Sequence, residues 1–148
     1  MKILPILLLG TFFVVLTHTS QATGDTLVTE CGVSSGTDNG AFLNSNVRGM
    51  LLSNSHNNDV VDNRFGKNRT GIYLLESHEN SLFDNVSKGN VQAGIRLRDS
   101  RNNEVADSNA SLNDIGIEEI GEDLNNIYED NVCRNNTTIG SNVEGACN

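Results

Sequence analysis

The sequence predicts an all-β chain: a right-handed parallel β-helix, a solenoid of about four to five short coils behind an N-terminal leader. Three observations carry this expectation. A pattern of about 22 residues recurs along the chain. Its apolar residues come in short bursts spaced two apart, the period of a strand rather than a helix. Asn, which occurs 22 times and never within residues 1–22, falls in columns from one copy to the next.

The leader is residues 1–22. One Lys precedes an apolar run over residues 3–16, and a polar stretch ends at Ser20-Gln21-Ala22. Small residues two apart fit a signal-peptidase site after Ala22. The alternative, a membrane anchor, needs roughly 20 apolar residues, and the run is shorter. No later segment is apolar enough to span, so the mature chain is expected to be secreted or periplasmic, with no membrane contact after cleavage. About 126 residues then remain, enough for one core. The net charge of −9 becomes −10 without Lys2, which argues against nucleic acid or anionic membranes as partners.

The clearest copy reads Asn58-x-Val60-x-x-Asn63-x-Phe65-x-x-Asn68-x-x-Gly71-Ile72-x-Leu74. The next has Asn80, Leu82, Asn85, Ser87 and Asn90, then Gly94-Ile95-x-Leu97. A third has Asn103, Val105, Ser108, Ala110 and Asn113, then Gly116-Ile117. A fourth is aligned as Asn125-x-Ile127-x-x-Asp130-x-Val132-x-x-Asn135, followed by Gly140. A degenerate early copy reads Asn39-x-Ala41-x-x-Asn44, then Gly49-Met50-x-Leu52. Residues 39–140 thus form the coils, with residues 23–38 as an N-terminal cap and 141–148 as a C-terminal cap.

One copy makes one turn, and copies stack at the strand spacing of roughly 4.8 Å. Stacked Asn amides then form hydrogen-bonded ladders, and Asn and Gly at the corners tolerate left-handed backbone. A leucine-rich repeat has a similar period but needs several Leu per unit. The ends of the stack are sheet edges, which makes an end-to-end homodimer possible. Of the three cysteines, Cys31 sits before the first coil, well beyond the roughly 7 Å that a disulfide spans between Cα atoms. The register therefore pairs Cys133 with Cys147.

The G-I-x-L … N-x-I-x-x-N-x-I-x-x-N pattern resembles the parallel β-helix repeats of NosD-type periplasmic proteins. Their wider grouping holds carbohydrate-binding proteins and sugar hydrolases and is similar to mannuronan C5-epimerases and pectate lyases. The resemblance implies the fold, but a shared fold does not carry activity. The Asp-Pro-His-Asp signature of the epimerases is missing, since the only Pro is Pro5. NosD-type proteins are associated with copper-enzyme maturation, yet no Met- or His-rich copper motif appears.

Chemistry would sit on outward columns. Glu76, Asp99 and Glu122, with Asp123 beside the last and Glu118 and Glu119 nearby, form the candidate Ca²⁺ site, by likeness to the acids of pectate lyases. Asp62, Asp84, Asp107 and Glu129 form a second acidic column, readable as solvated corners or, functionally, as a Ca²⁺ site or a groove for a cationic partner. His56 and His78 share a column with Arg101, as a pair that shares a metal or acts as base and acid, or as turn histidines. Tyr73, Arg96 and Arg98 form a surface suited to a sugar ring and a uronate carboxylate, and Val61, Phe83, Ala106 and Tyr128 a second outward stripe.

The expectation is a non-catalytic module binding polysaccharide or an extracellular or periplasmic protein, with Ca²⁺ as the one possible cofactor and no catalytic residue assigned. A small lyase, epimerase or hydrolase acting on acidic glycans is the first alternative. A NosD-like accessory or structural protein is the second.

Overall fold

The structure, a computed structural model, describes residues 26–29, 37–38, 41–43, 47–122 and 124–148. The expected signal peptide, Cys31 and Asp123 lie outside the described residues. Every described regular element is a strand. The first coil carries β1 (Thr26–Thr29), β2 (Thr37–Asp38) and β3 (Ala41–Leu43), the second β4 (Arg48–Ser53), β5 (Asp59–Val61) and β6 (Arg64–Gly66). The third carries β7 (Thr70–Leu75), β8 (Ser81–Phe83) and β9 (Val86–Lys88), the fourth β10 (Ala93–Arg98) and β11 (Glu104–Ala106). The stack closes with β12 (Ile115–Ile120), β13 (Ile127–Glu129) and β14 (Ile139–Ser141).

All pairings are parallel and join each strand to its counterpart one coil away. The long sheet runs β1-β4-β7-β10-β12-β14, the second β13-β11-β8-β5-β2 and the third β3-β6-β9. Bridges at Asn109 and Val132 carry the third face onward where strands no longer form. This is the expected parallel β-helix, and β1 and β2, within the segment expected to cap the stack, pair in register with β4 and β5. Among the described residues no helix is long and apolar enough to cross a membrane.

Alternate strand residues point inward, and the core is the stack of those positions: Met50, Ile72, Ile95 and Ile117 in one column, Leu52, Leu74 and Leu97 in the next, Val60, Leu82 and Val105 opposite. Phe65 fills the third side in its coil, and Ser87 and Ala110 take that place in the following ones. A coil this thin buries few apolar groups, so polar ladders hold its corners. The backbone N–H of Asn58 donates to Asn80 Oδ1 at 3.0 Å, that of Asn80 to Asn103 Oδ1 at 3.0 Å, and that of Asn103 to Asn126 Oδ1 at 2.8 Å. Parallel ladders run Asn63–Asn85–Ser108–Asn131 and Asn68–Asn90–Asn113–Asn136. A fourth, not foreseen, is made of hydroxyls: Ser55 N–H donates to Ser77 Oγ at 3.1 Å and Ser77 N–H to Ser100 Oγ at 3.0 Å.

The ladders correct the sequence register at both ends. In the last coil the ladder members are Asn126, Asn131 and Asn136, not Asn125, Asp130 and Asn135, and Tyr128 pairs with Val105. The doublets Asn125-Asn126 and Asn135-Asn136 satisfy either alignment, and packing decides between them. Tyr128 and Cys133 then turn to the core, while Ile127 is exposed. Tyr128 therefore does not belong to an outward stripe, and Glu129 stands opposite Ala106. In the early copy Phe42, rather than Ala41, stands opposite Phe65.

The corner chemistry also differs from expectation. The left-handed residue is the one preceding each ladder member: Asn57, Asp62 and Lys67 in one coil, Glu79, Asp84 and Gly89 in the next. The glycines that open the long strands are needed for space. A Cβ on Gly49 would lie 2.7 Å from the carbonyl oxygen of Gly71, and one on Gly71 would lie 2.6 Å from that of Gly94.

Cys133 and Cys147 form a disulfide with Cα atoms 5.5 Å apart. The tail it anchors buries Ala146, and Asn148 N–H reaches back to the Asn131 carbonyl at 2.7 Å.

Candidate functional site

The outer face of the long sheet carries a cluster of charged and aromatic side chains. Parallel register stacks Leu51, Tyr73, Arg96 and Glu118 in one column and Ser53, Leu75, Arg98 and Ile120 in the next. Period-two alternation forces this: the residues between them, Leu52, Leu74 and Leu97, are in the core. Tyr73 is only 7% exposed. The Arg48 guanidinium lies 5.0 Å from its ring centroid and that of Arg96 5.8 Å away. Both contacts fall within the reach of cation–π attraction.

Arg96 Nε also donates to Glu118 Oε2 at 2.6 Å. Arg98 lies against Asp99 at 3.4 Å, and the proximity of Tyr73 first and Asp99 second holds its pKa above the ordinary value. Of the expected trio, Tyr73 and Arg96 are in contact, and Arg98 stands in the next column beside them. The Tyr73 ring is buried, with two guanidinium groups over it. Arg48, which sequence reasoning passed over, belongs to the group. Its signal was available: it opens the strand that stacks on the Tyr73 strand.

The acidic candidates are dispersed. Glu76 and Asp99 share a corner column, both exposed with left-handed backbone, at φ 50° each. The next member of that column is Gly121, since Arg98 pairs with Ile120, so Glu122 lies one residue beyond it. Glu118 is committed to Arg96. Glu119 turns inward, continuing the Leu52–Leu74–Leu97 column. Its Oε2 accepts from Asn126 Nδ2 at 2.8 Å and from the Tyr128 hydroxyl. Burial first, and that hydrogen bond second, push the Tyr128 phenol well above its ordinary pKa. The second acidic column likewise consists of left-handed corners, Asp62, Asp84 and Asp107, with Asp130 in the place assigned to Glu129. Among the described residues no three His, Cys, Asp or Glu side chains are grouped to hold a metal ion.

His56 and His78 are stacked, with ring centroids 4.9 Å apart and planes 12° from parallel. His78 N–H donates to His56 Nδ1 at 3.0 Å, and Arg101 N–H donates to His78 Nδ1 at 3.1 Å. Burial, then the Arg101 charge, then His56 hold the His78 pKa below its ordinary value.

The family model described as periplasmic copper-binding protein (NosD) matches residues 17–147. A crystal structure of a mutant of the periplasmic alginate epimerase AlgG superposes with a TM-score of 0.59 at 22% identity, over 82% of this chain and 33% of the epimerase. The chain therefore spans about a third of that protein's length, and at this identity the likeness is one of fold. No curated relative matches the sequence.

Proposed function

The chain belongs to the NosD family of periplasmic proteins, and from that premise we propose that it is a non-catalytic β-helix holding an acidic polysaccharide on the outer face of its long sheet. The observation that carries this reading is the cluster of Arg48, Arg96 and Arg98 around Tyr73 in a chain whose net charge is −9. Glu118 and Asp99 pair with Arg96 and Arg98 there and hold their guanidiniums in place. Guanidinium is the side chain best matched to a planar carboxylate, through two parallel N–H···O bonds. Tyr73 acts as the support that fixes their spacing, rather than as a stacking surface.

A flat sheet face suits an extended chain, whose successive uronates would meet successive coils at roughly 4.8 Å intervals. Net charge opposes approach of a polyanion at a distance. Within a Debye length of about 8 Å it is the local groups, and not the net charge, that a ligand meets. The name of the epimerase of like fold supports an acidic glycan as the class to try first.

Proton NMR of alginate and pectate with the mature protein, with and without Ca²⁺, tests the reading. Expected is line broadening without new signals, weakened about tenfold by Arg98→Ala, the worth of one charge-assisted contact. New unsaturated or altered anomeric signals would overturn it in favour of an enzyme. No change with either glycan would favour an accessory role alongside another periplasmic protein.

A further inference from the structure

The family description names copper, and the paired histidines are the obvious side chains to hold it. We infer that they do not: His56 and His78 are neutral, tautomer-locked members of the backbone ladder and not metal ligands. The inference is independent of the glycan proposal.

Each Nδ1 accepts a backbone N–H from the next coil, at 3.0 Å from His78 and 3.1 Å from Arg101. That is the part played by Asn Oδ1 and Ser Oγ in the neighbouring ladders. A ring nitrogen that accepts a hydrogen bond carries no proton, so in the neutral ring the proton is on Nε2. A histidine binds metal through the lone pair of a neutral ring nitrogen. Here one nitrogen has spent its lone pair on a backbone donor and the other carries the hydrogen.

Freeing Nε2 would move the proton to Nδ1, where it would point at a backbone N–H, and both ladder bonds would be lost. Metal-binding histidines show the opposite arrangement, with the second ring nitrogen donating to a carboxylate or carbonyl.

The surroundings of the pair disfavour a cation on balance. Burial first and the Arg101 charge second act against a positive His78, and they outweigh the Ser77 backbone and Glu79, which favour one. Among the described residues sulfur ligands are withheld as well: Met50 is fully buried, and Cys133 and Cys147 are joined to each other.

The test is long-range ¹H–¹⁵N correlation of the imidazole rings at neutral pH in the full chain, before and after one equivalent of cuprous ion under anaerobic conditions. Both rings are expected to carry hydrogen on Nε2 and to keep their shifts. The double variant His56→Asn/His78→Asn, which retains an acceptor at the same position of each side chain, should match the parent in copper affinity within about twofold. A proton on either Nδ1, or stoichiometric binding that the double variant loses, would overturn the inference.

Discussion

Asn58 places two donors on a single atom of Asn80: its backbone N–H and its Nδ2 reach Asn80 Oδ1 at 3.0 and 2.9 Å. Asn80 Nδ2 in turn donates to the Ser55 carbonyl at 3.0 Å and to Asn103 Oδ1 at 2.9 Å. One buried amide thus joins three coils. Asn80→Ala takes four buried hydrogen bonds at once, although Asn58 Nδ2 keeps the His56 carbonyl and Asn103 Oδ1 keeps the backbone N–H of residue 80; a buried group left unpaired costs about 1–3 kcal/mol. A loss of about 2 kcal/mol or more is expected in urea unfolding. A drop below about 1 kcal/mol would show that the ladder is ornamental.

Gly71→Ala should be as damaging for a different reason. Its Cβ would meet the Ser87 hydroxyl and the Gly94 carbonyl oxygen, which is backbone and has no room to retreat. Overpacking typically costs about 1–3 kcal/mol, and here it also displaces Ser87 Oγ from its 2.7 Å bond to Gly94 O. Gly89→Ala is the control, because its Cβ would meet nothing within 4 Å. Its cost comes only from the positive φ of 68°. Thermal melts should place Gly71→Ala well below Gly89→Ala.

Acid should weaken the histidine column. The folded His78 pKa lies below its ordinary value. Its contribution is therefore complete above about pH 6.5, the unfolded value, and is lost as pH falls through the folded one. Comparing unfolding midpoints at pH 7 and pH 5 should show a larger fall for the parent than for His78→Asn. Equal slopes would mean that the ring does not titrate with folding.

Alkali should act on Tyr128. Its folded pKa is raised, so its stabilising effect is intact below about pH 10. Above that it declines, because the unfolded chain ionises first. Tyr128→Phe should cost stability at pH 8 and then lose less than the parent as pH rises to 11. Parallel losses in both proteins would place the alkaline transition elsewhere.

The architecture was legible because the repeat is written redundantly: the Asn columns, the Gly-Ile opening and the period-two bursts each specify one coil. The last coil was misread by one residue because its doubled asparagines fit two alignments. Only the inward packing of Tyr128 and Cys133 distinguishes them. That slip propagated to the second acidic column, where Glu129 took the place of Asp130. Glu122 was set in the column of Glu76 and Asp99 by the opposite slip, because the long strand keeps a 22-residue offset through Ile120 and the extra residue comes after it. Glu119 was misjudged for a related reason. A carboxylate at an inward position looks like an error in the pattern until its partners, Asn126 and Tyr128, are seen beside it. Tyr73 was correctly placed on the outward face, but a linear reading counts neighbours along a strand. Its burial comes from Arg48 and Arg96 in the coils on either side.

The ladders divide each coil into a rigid arc and a tolerant one. From Asn58 to Asn68, Asn80 to Asn90, Asn103 to Asn113 and Asn126 to Asn136 the count is always ten residues. From Asn68 to Asn80 it is twelve, and from Asn90 to Asn103 and Asn113 to Asn126 it is thirteen, by subtraction. An added residue on the first arc would shift every later inward side chain to the outside. On the second it is absorbed at a corner, as the chain itself already does. Longer excursions with new recognition chemistry can therefore be grafted into the second arc, beside the arginine face, without recasting the stack beneath.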